Sequence, residues 1–153
     1  MNRSPRHGLA AGLVGIVVLG ATATAVAHHS FAMYDRTTTR TLTGRLTRFI
    51  PGANHAQLIF ELLGPDGKPV VDAKGEVVQW GVETGPAGAI ARQGVTVKSF
   101  PVGTVLTVTL NPLRDGRTFG ALAGILIKCG ATLPAGGCTE ETGEVLIRQQ
   151  RNE

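Results

Sequence analysis

The chain has 153 residues, 15 Lys and Arg against 11 Asp and Glu, and 42% hydrophobic residues. That length holds one domain with one core, large enough to fold without a metal or many covalent staples. The small positive balance does not call for a polyanionic partner, and two cysteines do not make up a thiol metal cluster.

Residues 1–27 have the layout of a secretory signal. Arg3 and Arg6 form a basic start, Leu9 to Leu19 is an uncharged apolar run, and Ala25-Val26-Ala27 is the pattern a signal peptidase cuts behind. Cleavage after Ala27 leaves one mature domain, 28–153, that begins His28-His29 with a free α-amine. Arg3 and Arg6 leave with the signal, so 13 basic residues then face 11 acidic ones. The competing reading is an uncleaved anchor, because Gly8 to Ala27 is uncharged and approaches the ~20 residues that cross a bilayer. Its strongly apolar part spans only about a dozen residues and is rich in Gly, Ala and Thr, which favours cleavage. The expected location is periplasmic or secreted, with no membrane contact after cleavage.

The mature chain reads as β with one short helix. Thr39 to Ile50 sets Leu42 and Leu46 on one face and Thr41, Thr43, Arg45 and Thr47 on the other, the alternation of a half-buried strand. Pro51 to Asn54 breaks it. Residues 55–63 resume with Leu58, Phe60 and Leu62 on one face. Pro65-Asp66-Gly67-Lys68 and Asp72-Ala73-Lys74-Gly75 are turns. Glu76 to Glu83 is the third strand, with Val78, Trp80 and Val82 together and Glu83 on the opposite face.

Pro86 and Gly94 punctuate a helix over Ala87 to Gln93, anchored by Ile90. Val95 to Val97 is expected to be extended and Phe100 to Gly103 a turn. Thr104 to Leu110 is a strand with Leu106, Val108 and Leu110 inward, and residues 111–117 form a loop. Thr118 to Lys128 is the last long strand, whose Gly120, Ala121, Ala123 and Gly124 suit close strand approach. Gly143 to Arg148 adds an edge strand. Three strands, a short helix, then two strands is the order of a small all-β, OB-like barrel of five to six strands. A small open β-sandwich gives a similar pattern.

Cys129 and Cys138 flank Gly-Ala-Thr-Leu-Pro-Ala-Gly-Gly, a segment able to turn back on itself. In an oxidising compartment this spacing favours a disulfide. The alternatives are a two-thiol metal site or a redox pair, although redox motifs keep their cysteines closer.

Several pieces of the chain go together: Ala27-His28-His29-Ser30-Phe31-Ala32, Tyr34-Asp35, Thr43-Gly44, Asn54-His55, Trp80 with Glu83, and Asp115-Gly116. Over residues 27 to about 127 the chain resembles the small exported bacterial proteins grouped as domain of unknown function 6152. It departs from the family's Asn-Pro-His pattern, since Asn54 directly precedes His55 and Pro51 lies three residues earlier. Residues 69–76 look like extra hairpin length, and the Cys129–Cys138 segment like an embellishment. The resemblance implies an exported protein and a fold. It implies no chemistry.

His28, His29 and His55 are the histidines left after cleavage. An N-terminal His chelates metal through its α-amine and ring nitrogen, and Cu(II) is the natural guest; Met33 is a further donor. The plain reading of such an end is a solvated tail. His55 is separated from that end by Thr39 to Ile50, about 40 Å of strand at ~3.3 Å per residue. A three-histidine metal site therefore needs a bent barrel strand, or residues 28–37 folded back alongside. Otherwise His55 is expected to hydrogen-bond within its turn.

Trp80 reads as core. Glu83, at the strand end before the helix, is suited to favour the helix N-terminus, with no second carboxylate placed beside it. Arg36, Arg40, Arg45 and Arg48 cluster around the first strand with only Phe49 as a stacking group, which argues against nucleic acid.

No nucleophile-plus-base motif, phosphate loop or haem signature appears, so no catalytic residue is assigned. The sequence favours a non-enzymatic exported binding or accessory module for a small molecule, glycan or envelope protein. Loops 51–54, 65–75 and 111–117 offer its ligand face, and copper is its candidate metal. The rival is a copper-dependent redox enzyme using His28 as an amine–imidazole chelate.

Overall fold

Strand β1 (Arg40–Ile50) is paired on both sides, antiparallel to β2 (Gln57–Leu62) and to β4 (Val105–Pro112), and so forms the spine of the fold. The computed structural model describes residues 31–149. After β2 come β3 (Gln79–Glu83) and the short helix α1 (Ala87–Ala91); after β4 come β5 (Phe119–Lys128) and β6 (Glu144–Arg148). The strands form one sheet in the order β3-β2-β1-β4-β5-β6. A parallel pairing of β3 with β5 closes the first five into a barrel, leaving β6 as an additional edge strand.

Alternation along β1 decides what faces inward. Leu46 is buried with Leu58, Phe60, Leu106, Val108, Leu110 and Leu126. On the other face the Thr41 and Thr43 hydroxyls share hydrogen bonds with Thr109 and Thr107 at 2.9 and 2.7 Å. Each fully buried Leu or Phe contributes about 1.5–3 kcal/mol, so this shared interior dominates over the hydroxyl ladder. The register of β1 slips between Leu46 and Arg48, and Thr47 donates to the Ile59 carbonyl at 3.0 Å. Such a bulge bends a strand and lets a barrel curve.

Closure depends on missing side chains. A Cβ on Gly81 would collide with the Phe119 ring, and one on Gly120 would sit 2.6 Å from the Asn111 carbonyl oxygen. These two glycines let β3 and β5 come together at the pairs Gly81↔Phe119 and Val82↔Gly120. Helix α1 packs buried Ile90 against the barrel interior with Val95 and Phe100.

The third strand is shorter than its alternation predicts, starting at Gln79. Residues 63–77 are drawn into a hairpin extension instead, with Leu63 bridged to Pro69 and Val71 to Val77. Val95 to Val97 leads into a turn rather than an extended piece: Thr96 and Ser99 exchange hydrogen bonds at 3.0 Å. The helix stops at Ala91, and Gly94, at φ +85°, follows it. Strand β4 runs two residues beyond Leu110 because Asn111 and Pro112 keep partners in Ala121 and Gly120.

Cys129 and Cys138 form the disulfide, with Cα atoms 5.8 Å apart. Cys138 is buried with Leu63, Val105 and Ile127 in a second small core. No helix among the described residues is long and apolar enough to cross a membrane.

Candidate functional site

The chain enters the barrel at the end where β4 turns toward β5. A short 3-10 turn, Phe31–Met33, precedes Tyr34, which bridges to Leu113. Asp35 N–H donates to the Pro112 carbonyl at 2.8 Å, and Arg114 N–H donates to the Met33 carbonyl at 2.9 Å. Tyr34 is buried against Leu113, Ala121 and Phe119. Asp35 caps the turn that follows: one oxygen accepts the Thr37 N–H at 3.1 Å and its hydroxyl at 2.6 Å, the other the Thr38 hydroxyl at 2.8 Å. Those donors pull the Asp35 carboxyl down to about 2.

Glu83 closes β3 and collects partners from two other segments. The Tyr34 hydroxyl lies close enough to its carboxylate for the charge and hydrogen bonding of Glu83 to act on the phenol, and His55 Nδ1 lies 3.3 Å from Oε1. Burial, with the negative charge and hydrogen bond of Glu83 behind it, pushes the Tyr34 phenol up to about 12.

His55 is fixed from its other neighbour as well. Its Nδ1 lies 3.1 Å from the Thr84 carbonyl, an acceptor only, as is the Glu83 carboxylate, so Nδ1 carries a proton and donates it. Thr84 is itself tied down: its buried hydroxyl donates to the Ala56 and Gly85 carbonyls, both at 3.1 Å. A histidine held this way through Nδ1 has its ring orientation set.

Glu83 also lines a cleft of about 650 Å³, shared with Met33, Tyr34, Leu113, Arg117 and Phe119. The Glu83 side chain is 20% exposed there. Arg117 carries the positive charge of the lining, but its Nε donates to Asp115 Oδ2 at 2.8 Å and its backbone N–H to Oδ1 at 3.1 Å. The arrangement can hold a ligand against a fixed carboxylate.

Closure brings the segment 31–35 and His55 to one carboxylate. Strand β5 begins beside both the end of β3 and the end of β4, through the pairs Glu83↔Ala121 and Asn111↔Ala121. Residues 31–35 lie on the end of β4, so Tyr34 and His55 reach one carboxylate from opposite sides of β1. His28 and His29 lie outside the described residues, as does the whole 1–27 segment. Among the described residues no three His, Cys, Asp or Glu converge as metal ligands; His55 and Glu83 are a pair.

Other assignments change or hold. Glu83 turns to Tyr34 and His55, while α1 has no side-chain cap. His55 bonds across to Thr84 rather than within its own turn. Trp80 is core, 6% exposed, with the Arg40 guanidinium 5.5 Å from its ring centroid. Arg45 pairs with Glu61 at 2.8 Å. Of the three candidate loops, residues of 111–117 line the cleft. Reading residue types alone does not single out Tyr34; its signal is that it is the chain's one tyrosine, set just before the first strand.

No curated protein and no solved structure matches the chain. The model of a family described as "Family of unknown function (DUF6152)" matches residues 16–122, more than half of the sequence and all three segments that meet at Glu83. The chain belongs to the DUF6152 family.

Proposed function

We propose that this protein is an exported, periplasmic or secreted, binding or accessory module whose ligand seats in the cleft over Glu83. One observation carries this reading. A carboxylate is contacted by Tyr34 and His55, from two other segments of the chain, and borders a cleft of about 650 Å³. Small-molecule sites combine such a hollow with a few placed polar groups, and its size favours a small molecule over a glycan chain or an envelope protein. The test is a thermal-shift screen of the processed protein and Glu83→Gln against a chemically diverse set of small molecules. Compounds that raise the melting temperature of the native protein and not of Glu83→Gln support the reading. A set that stabilises neither, or both equally, counts against it.

A second reading, copper held by His28 and His29 with His55 as a further ligand, is favoured by the way the chain enters the fold. Tyr34 lies beside the carboxylate that His55 faces. Six residues earlier in the sequence is His28, a separation that spans at most about 20 Å. Calorimetry of the processed protein with Cu(II) tests it. The copper-dependent redox enzyme is separated from it by oxygen consumption with a reductant present.

A further inference from the structure

We infer that the cleft selects an organic cation, an ammonium headgroup carrying methyl or methylene groups, seated with its charge toward Glu83 and its carbon against Phe119, Tyr34 and Leu113. This rests on the cleft being the binding site, and it adds the class of ligand.

Charge gives the sign. Glu83 and Arg117 are the formally charged residues of the lining, and the Arg117 guanidinium is paired through Nε with the Asp115 carboxylate at 2.8 Å. That leaves one carboxylate to set the local field. A carboxylate accepts about four hydrogen bonds in all, and Tyr34 and His55 orient it without removing that capacity. An anion would be repelled, and the half-buried setting strengthens either effect.

The other walls say what kind of cation. A bare metal ion needs three or four donors; besides Glu83 and the Tyr34 hydroxyl the lining offers only the neutral side chains of Gln57 and Thr118, while Phe119, Leu113 and Met33 present apolar side chains. Carbon walls with aromatic rings beside a carboxylate suit a weakly hydrated cation that carries carbon of its own, which gains from ring faces as well as from the charge. Phe119 is part of this wall because Gly81, lacking a side chain, leaves room for its ring.

The experiment is amide NMR of the mature chain titrated with three probes of one shape. These are choline, its uncharged isostere with tert-butyl in place of trimethylammonium, and a tert-butyl-substituted carboxylate. Choline should shift the amides of Leu113, Arg117 and Phe119 saturably. The uncharged probe should bind at least about tenfold more weakly, and Glu83→Gln should weaken choline by a similar factor, the loss of one charged contact. Phe119→Leu, which removes the ring and no charged or hydrogen-bonding group, should weaken choline about threefold or more. That variant keeps the test decisive if Glu83→Gln does not fold.

Equal or tighter binding of the uncharged or anionic probe at these amides overturns the cation assignment and leaves the cleft as a binding site. The cation assignment also falls if choline binds Glu83→Gln and Phe119→Leu as it binds the native chain. If none of the three probes moves the cleft amides, both the cation assignment and the cleft reading fail.

Discussion

Tyr34 and His55 meet on the carboxylate of Glu83, although the whole of β1 lies between them in sequence. The contact fastens the segment that leads into the barrel to the strand that closes it, so one small network reports on both docking and closure.

The first prediction uses the fact that Tyr34 is the chain's only tyrosine. Its phenolate should appear in near-ultraviolet absorbance only as the pH approaches about 12. Folding raises this pKa above its ordinary value of 10.0, so the associated stability is fully present below pH 10 and is lost as the pH rises toward 12. Glu83→Gln should lower the midpoint, because its charge and hydrogen bond both favour the phenol, yet leave it above 10 because burial persists. Tyr34→Phe should cost about 1–2 kcal/mol, read by chemical denaturation. An unshifted midpoint in Glu83→Gln would remove the contact from consideration.

The strands of this fold are legible in the sequence, and the site is only half so. Leu106, Val108 and Leu110 alternate cleanly and are all fully buried, and the Pro86 to Gly94 punctuation brackets α1. Period-two patterning says which face of a strand is inside. It does not say which distant segment arrives at the strand's end. The β3–β5 pairing is parallel and joins residues far apart in the chain, so no local signal announces it. For that reason Glu83 reads as a helix partner and His55 as a turn residue until closure brings Tyr34 beside them. The hairpin at 63–77 is hidden for a related reason, since its turns are marked but its bridges are not.

The glycines at the closure should differ in their tolerance of a methyl group. Gly81→Ala meets the Phe119 ring, a side chain able to swing aside, and should cost about 1–2 kcal/mol. Gly120→Ala meets the Asn111 carbonyl at 2.6 Å, which is backbone, and should cost about 3 kcal/mol or more. Measured against Phe119→Leu alone, Gly81→Ala should cost less in that background than in the native chain, while Gly120→Ala should cost the same in both. Denaturant midpoints of the single and combined variants decide it.

The Cys129–Cys138 bridge closes a short loop with a sequence separation of 9. Loop-closure entropy alone gives about 2.5 kcal/mol for its loss. The double Cys→Ser variant should lose at least that much, because Cys138 is buried beside Leu63 and Val105 and a hydroxyl would be left there. Reduction of the native protein should lower stability by a smaller amount than the double substitution. Equal losses would mean that the bond, and not the burial, accounts for the whole effect.

Asp35 should weaken the N-terminal docking in acid. Its carboxyl is lowered from 3.8 to about 2 by the Thr37 and Thr38 donors. A depressed folded pKa contributes stability above the unfolded value, and that contribution fades as the pH falls from about 4 toward 2. Asp35→Asn should flatten this part of the acid-unfolding curve, and amide exchange at Arg114 should quicken. A curve unchanged by the substitution would mean that the turn does not hold residues 31–35 in place.

The copper reading makes its own demand on the mature end. If His28 chelates through its α-amine and ring, affinity for Cu(II) depends on the residue that begins the chain, and a version retaining one residue before His28 should bind differently from the processed protein. His28→Ala and His29→Ala should each weaken binding, and His55→Gln should weaken it further if the third ring contributes. Protons compete for amine and imidazole, whose ordinary pKa values are about 7.8 and 6.5. Binding should therefore be stronger at about pH 7 than at about pH 5. The Tyr34 titration supplies an independent readout, since a cation drawn to Glu83 from the His55 side would lower the phenol midpoint. Calorimetry showing no heat with Cu(II), or the same affinity after both N-terminal substitutions, would leave His28 and His29 as a processing remnant and the cleft as the site to pursue.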